Sequence, residues 1–278
     1  MKHNYKTLSP VKDKIKFLCF VAGLMLSGLP SSYAIEMQTL AIAHTQAVVV
    51  TVDIKRDNLQ LFLKDAKGNL YQSFAAINQQ LATQQPVKQR PSQQHPSQQL
   101  IFAMNAGMFH SSYLPVGLYI EQGRKLYPLN TAMGSGNFFM QPNGVFLLSA
   151  QGVQVLSTAD FQSKAPAHIR LATQSGPLLV YNGKINSQFS PASASRFIRN
   201  AVGVKQPGTA VFVISEQPVS FYELADFFKN TLKINNALYL DGTISSLYLP
   251  ALKRHDRLHF LGPIIGVIQP VKRHSLAK

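Results

Sequence analysis

Apolar runs of four to eight residues, cut by glycine, proline and short polar clusters, recur along most of the chain and predict a strand-rich protein. Ala47–Ile54 reads AVVVTVDI, a β-branched run expected to be a buried strand. Asn58–Leu63, a turn at Asp65–Asn69 and Leu70–Phe74 predict a hairpin. Further strands are expected at Leu100–Met104, Gly117–Ile120, Lys125–Tyr127, Phe138–Met140, Gly144–Leu148 and Val153–Leu156. Leu178–Tyr181 and Lys184–Asn186 flank Asn182-Gly183, the signal of a type I′ hairpin. Ala210–Ser215, Ala237–Leu240 and Phe260–Ile268 complete the set, with Ala201–Val204 just before the first of them.

One helix stands out. Ser220-Phe-Tyr-Glu223 is a capping box, followed by Leu224, Phe227, Phe228, Thr231 and Leu232 at helical spacing. No internal repeat is visible. The expectation is a single strand-rich α+β domain over residues 35–278, with a mixed sheet and few helices.

Two segments break the pattern. From Gln79 to Gln99 nine of 21 residues are Gln, with Pro86, Pro91 and Pro96 among them. Such a stretch cannot bury a core and reads as a flexible loop inserted in the domain. At the N-terminus, Lys12, Lys14 and Lys16 precede an apolar run from Phe17 to Leu29 that ends in Pro30-Ser-Ser-Tyr-Ala34. This is the order of a secretory signal cleaved after Ala34. The run falls short of the roughly 20 residues a membrane span needs, so no stable span is expected after cleavage.

That leader changes the composition. The 278 residues carry a formal charge of +15 and a single cysteine, Cys19, inside the leader. Cleavage removes five lysines and Asp13, leaving 22 basic and 11 acidic residues and no cysteine. A cysteine-free chain suits an oxidising compartment, here the periplasm or the medium. The basic excess then favours an anionic partner of the cell envelope, a sugar phosphate or glycan, and not nucleic acid.

Candidate chemistry lies in a few polar strand ends. Met104-Asn-Ala-Gly-Met-Phe109 places Asn105 and Gly107 after a short strand, either as an ordinary turn or as a carboxamide pointed into a cleft. His110 follows it, as a proton carrier or a surface histidine. Ser175 and Gly176, in Thr173–Pro177, offer backbone N–H groups that can cradle an anion. Gly134-Ser-Gly-Asn137 is a similar polar glycine segment. Arg199, like Arg196, enters a strand, as a fork for phosphate or as a solvated cation. Leu240-Asp241-Gly242-Thr-Ile-Ser245-Ser246 delivers an acid, a sharp turn and two hydroxyls at a strand end. Glu216 follows the strand ending at Ser215 and comes near Asp241 if those two strands are neighbours. No metalloprotease histidine spacing and no nucleophile elbow occur. The sequence requires no cofactor, although Asp and Asn oxygens can hold a hard cation such as Ca²⁺.

Taken in order, Asn105–Phe109, Pro115-Val-Gly117, Ser175-Gly-Pro177, Arg199-Asn-Ala-Val-Gly203, Ser220–Ala225 and Asn236–Ser246 resemble the phosphodiester glycosidase family. The resemblance implies a mixed α/β fold with a polar central cleft and hydrolysis of a sugar-1-phosphodiester to a free sugar and a phosphomonoester. It marks Asn105, Gly107, Arg199, Asp241, Gly242, Ser245 and Ser246. In that reading Asp241 is the acid–base or ligand-orienting carboxylate, Arg199 a phosphate clamp, and Asn105 and Ser245 substrate hydrogen-bonders. One departure concerns Thr243-Ile244, which stand where many family members have glycines, so that side chains fill a bare backbone surface. A non-catalytic module binding anionic envelope polymers is the competing reading.

Overall fold

Three antiparallel sheets share one core. The computed structural model describes Met1 and residues 35–83 and 97–271. The expected leader and most of the Gln-rich segment lie outside the described residues.

The first sheet has the order β1 (Glu36–Ile42), β2 (Thr45–Asp53), β13 (Thr209–Ser215), β12 (Asn200–Gln206), β14 (Asn236–Asp241), β10 (Leu178–Tyr181) and β11 (Lys184–Ile185). The second runs β16 (Arg254–His255), β15 (Leu247–Leu249), β4 (Gln98–Asn105), β17 (Ile264–Pro270) and β3 (Asn58–Phe62). The third runs β6 (Arg124–Tyr127), β5 (Tyr119–Glu121), β9 (Leu171–Ser175), β7 (Gly144–Ser149) and β8 (Gly152–Ser157). Each pairing within them is antiparallel, so the strand-rich α+β expectation is met by antiparallel sheets and not by mixed ones. Helices α1 (Phe74–Thr83), α2 (Thr158–Lys164) and α3 (Phe221–Asp226) cover their faces.

β2 shows why its valines form an unbroken run. Val48, Val50 and Val52 face the core shared by the three sheets, while Ala47 and Val49 face the cluster under α3. A strand covered on both sides loses the polar alternation of a half-exposed one. Phe212 of β13 joins the layers, with its ring 5.1 Å from Phe102 of the second sheet and 5.9 Å from Phe146 of the third. Asn182 and Gly183 adopt φ of 49° and 73°, as a type I′ turn requires.

Four expectations are corrected. Leu70–Phe74 is not the return strand of a hairpin: Leu70 makes an isolated bridge to Lys64, and Phe74 opens α1. That helix takes in Gln79–Thr83, and β4 takes in Gln98 and Gln99, so structure reaches into both ends of the Gln-rich stretch. Phe74, Ile77 and Leu81 bury one face of α1 on Leu100, Ala103 and Ile264. Phe138–Met140 is not a strand; Asn137–Phe139 form a single 3₁₀ turn. The last strand starts at Ile264, after Gly262-Pro263, rather than at Phe260.

At Gly107 the chain packs directly against β9. A Cβ there would collide with the Gln174 carbonyl and lie 2.5 Å from Thr173 Oγ1, which accepts from the Gly107 N–H at 3.1 Å. Gly107→Ala is therefore expected to destabilise the fold by about 2–3 kcal/mol, read as a lower urea midpoint at unchanged slope.

Candidate active site

The resemblance-marked residues converge where the carboxyl ends of β4 and β14 meet the start of β12. Asn105 ends β4 and Asn200 opens β12, and both are fully buried. Their carboxamides face each other: Asn105 Nδ2 donates to Asn200 Oδ1 at 3.3 Å, and Asn200 Nδ2 donates to Asn105 Oδ1 at 3.2 Å and to its carbonyl at 3.0 Å. Asn200 sits opposite Asp241 in the ladder, and its Oδ1 accepts the Asp241 N–H at 2.9 Å. Asn105 Oδ1 accepts the Ser246 N–H at 3.0 Å. The pair therefore clamps both ends of the Asp241–Ser246 turn.

Within the turn, the Ser245 hydroxyl donates to the Asp241 carbonyl at 2.9 Å and reaches Asn200 Oδ1 at 3.4 Å. The Ser246 hydroxyl donates to the Ile244 carbonyl at 2.9 Å. Ser175, fully buried, donates from Oγ to the Leu240 carbonyl at 2.9 Å, which holds β9 to the residue before the acid. Ser175 is thus a positioning group. Gly176 is likewise packed against the Phe138 carbonyl and Asn143. Ile244, at the departure from the family pattern, packs on the cluster around α1.

The Asp241 carboxyl is the titratable group of this turn. Burial pushes its pKa up to about 6 from the usual 3.8, against the opposing pull of the Gly242 and Thr243 N–H groups. Its Oδ1 accepts the Gly242 N–H at 2.5 Å. A carboxyl tuned near 6 exchanges protons readily close to neutral pH.

Arg199 lies elsewhere than an open clamp would. It is fully buried, Nε donates to the Val219 carbonyl at 2.8 Å, and Nη2 donates to the Ser195 carbonyl at 3.2 Å. Nη1 donates to the Tyr239 hydroxyl at 3.1 Å, and the guanidinium lies 3.7 Å from the Phe221 ring centroid. Tyr239 Oη in turn abuts Gly242, at the site a Cβ would occupy. Arg199 therefore supports the Asp241 turn from beneath, through Tyr239, instead of offering its fork to solvent.

Glu216 is not beside Asp241 in the sheet, because β12 separates β13 from β14. Its Oε1 accepts from Arg254 Nη1 at 2.7 Å, and Arg254 Nη2 donates to Asp256 Oδ2 at 3.0 Å. Asp256 Oδ2 also accepts the Leu247 N–H at 2.9 Å. Glu216 thus belongs to an ion network that anchors the residue after Ser246. His110 is exposed in a turn whose backbone bonds Leu114 and Tyr113. Asn200, Tyr239, Arg254 and Asp256 were not singled out from the sequence. Asn200 lay inside a matched block, directly after Arg199, and that adjacency was the available signal.

As to a cation, Asn105 Oδ1 and Asn200 Oδ1 are both occupied by backbone N–H groups. Among the described residues no group of three or more His, Cys, Asp or Glu is placed to hold a metal ion. No helix among them is long and apolar enough to cross a membrane.

Comparison with solved structures places the fold. It matches the zebrafish N-acetylglucosamine-1-phosphodiester alpha-N-acetylglucosaminidase catalytic domain, auto-inhibited by its pro-peptide, with a TM-score of 0.56 over 84% of this chain and 82% of that one. At 13% identity the likeness is one of fold. A hypothetical protein from Synechocystis aligns over 84% of this chain and 61% of its own, at TM-score 0.49 and 17% identity. The sequence profile of the phosphodiester glycosidase family matches residues 98–257, from β4 past the Asp241 turn to Asp256 and Arg257. The chain belongs to that family. It is also 37% identical over 199 residues to the uncharacterized protein YigE of Escherichia coli K12, covering 72% of each chain.

Proposed function

We propose that the protein is a hydrolase that cleaves a sugar-1-phosphodiester of an envelope glycan or exopolysaccharide, releasing the sugar and a phosphomonoester. The observation that carries this reading is Asp241, whose backbone is held by Asn200 and Ser245 and whose carboxyl is pushed up to about 6. The family's glycosidase-like chemistry and the substrate in the zebrafish enzyme's name support the substrate class.

The chemistry assigns the proton step. A phosphomonoester is a weak base, with a second pKa of about 6, and departs from the sugar with little need for protonation. Water is the poor partner, so the useful role for Asp241 is to take a proton from it. Ionised Asp241 acts as general base, and its raised pKa makes it a stronger base than an ordinary carboxylate. The mechanism therefore runs on the charged form, above about pH 6. The leader-like segment and basic surplus support a periplasmic or secreted location and an anionic substrate.

The test incubates the purified domain with α-N-acetylglucosamine-1-phosphodiesters and related sugar phosphates, beside Asp241→Asn. Sugar release by the wild type alone is expected. No release from any of them, or equal release by the variant, would refute the mechanism and leave a binding module.

A further inference from the structure

A cleft of about 340 Å³ opens where the last strand of the second sheet faces the third sheet. It is lined by β3 from Asn58 to Leu61, by Gln122 at the tip of the β5–β6 hairpin, and by Arg170 just before β9. The lining holds no acid and shares no residue with the Asp241 centre.

Arg170 is fixed in this cleft at both ends. Its N–H donates to the Leu148 carbonyl and its own carbonyl accepts the Gly123 N–H, each at 2.8 Å. Its Nη2 reaches across to donate to the Leu59 carbonyl at 3.2 Å. Among the described residues no carboxylate forms an ion pair with it. The two acids that adjoin the lining in sequence are engaged elsewhere. Asp57 Oδ2 accepts the Asp53 N–H at 2.9 Å, and Glu121 accepts from the Tyr119 hydroxyl at 2.8 Å and from the Leu63 N–H. Nε and Nη1 of the guanidinium are left for a ligand, and its planar fork suits a carboxylate.

The cleft also contains an open backbone edge. β3 ends its sheet, with β17 on one side and no strand on the other. Leu59 turns its carbonyl away from β17, to Arg170. Leu63, just past the strand, turns its N–H to Glu121 and its carbonyl to the Tyr71 N–H. Backbone groups alternate with a period of two along a strand, so Leu61 turns its N–H and carbonyl to the same edge, inside the cleft. An extended peptide antiparallel to β3 can exchange a pair of hydrogen bonds with Leu61 through one of its residues. Its chain then runs toward Leu59, and one or two residues further, about 3–7 Å, bring it to Arg170. The Gln122 amide stands along that path, and Gln60 donates to Asn58 Oδ1 at 3.2 Å beside it.

We infer that this cleft binds the carboxyl end of an extended peptide, which pairs as a short antiparallel strand with Leu61 and gives its terminal carboxylate to Arg170. The site is separate from the Asp241 chemistry and does not rest on it.

Calorimetric titration of the purified protein tests this with acetyl-Ala-Ala-Ala, its C-terminal amide, its analogue methylated on the first two alanine nitrogens, and acetate. The free acid is expected to bind about tenfold or more tightly than each of the other three. These comparisons use the wild type, so they stand whether or not a variant folds. In Arg170→Ala the acid falls to the affinity of the amide, whose own binding is unchanged, and Arg170→Lys keeps part of the preference. Asp241→Asn binds the acid as the wild type does. No binding of the acid, or equal binding of acid and amide, overturns the site. Equal binding of the methylated analogue overturns the strand pairing, and acetate binding as tightly as the peptide acid overturns the peptide as ligand. If the acid binds as expected while no phosphodiester is hydrolysed, this site stands and the proposed reaction falls.

Discussion

Asp241→Asn is expected to lose sugar release by about 10³-fold or more, yet to gain stability at pH 7.5. In the folded protein the carboxyl titrates at about 6, above its usual 3.8. A raised carboxyl favours the neutral form, so its stability is complete below about pH 4 and is lost as pH rises through 6. Above that the ionised group costs on the order of 1–3 kcal/mol. Asparagine removes this cost while its Oδ1 can still accept the Gly242 N–H, as Asp241 Oδ1 does. Urea unfolding at pH 4 and 7.5 measures it: equal midpoints at the lower pH, and a higher midpoint for the variant at the upper. A variant less stable at both would show that the carboxylate is held by favourable contacts, not penalised by burial.

Asn200→Ala carries the largest expected loss of stability. The substitution removes the acceptor of the Asp241 N–H and the partner of both ends of the Asn105 carboxamide, all in a buried setting. Each buried polar group left without a partner costs about 1–3 kcal/mol, and these share one network, so about 3–5 kcal/mol in all is expected. Turnover should fall as well, because the Asp241 turn loses one of its two clamps. Denaturant unfolding and sugar release on the same preparation measure both. A loss under 1 kcal/mol with normal turnover would show that the Asn105–Ser246 bond alone holds the turn.

The strands were legible because burial on both faces writes itself as apolar runs: Val48 and Val49 serve different clusters yet look alike in sequence. Helix α1 was hidden for the opposite reason. Its three core contacts, Phe74, Ile77 and Leu81, are spaced among Ala, Asn and Gln, and the Gln run beginning at Gln79 masks the period. In the site, Asn105, Asp241 and Ser245 were readable as strand-end polar groups. Arg199 was readable in place but not in posture. Its burial depends on Val219, Phe221 and Tyr239, which lie up to 40 residues away and close over it only in the fold. Glu216 was misplaced because strands adjacent in sequence, β13 and β14, are separated by β12, and sequence order does not give sheet order.

If ionised Asp241 takes the proton in sugar release, turnover must follow its titration. The pH dependence of kcat/KM on an α-N-acetylglucosamine-1-phosphodiester, from about pH 4.5 to 8, tests it most directly. The rate is expected to rise with pH and level off with an apparent pKa near 6, the value burial gives the carboxyl. A profile that is flat across this range, or that falls as pH rises through 6, would contradict it.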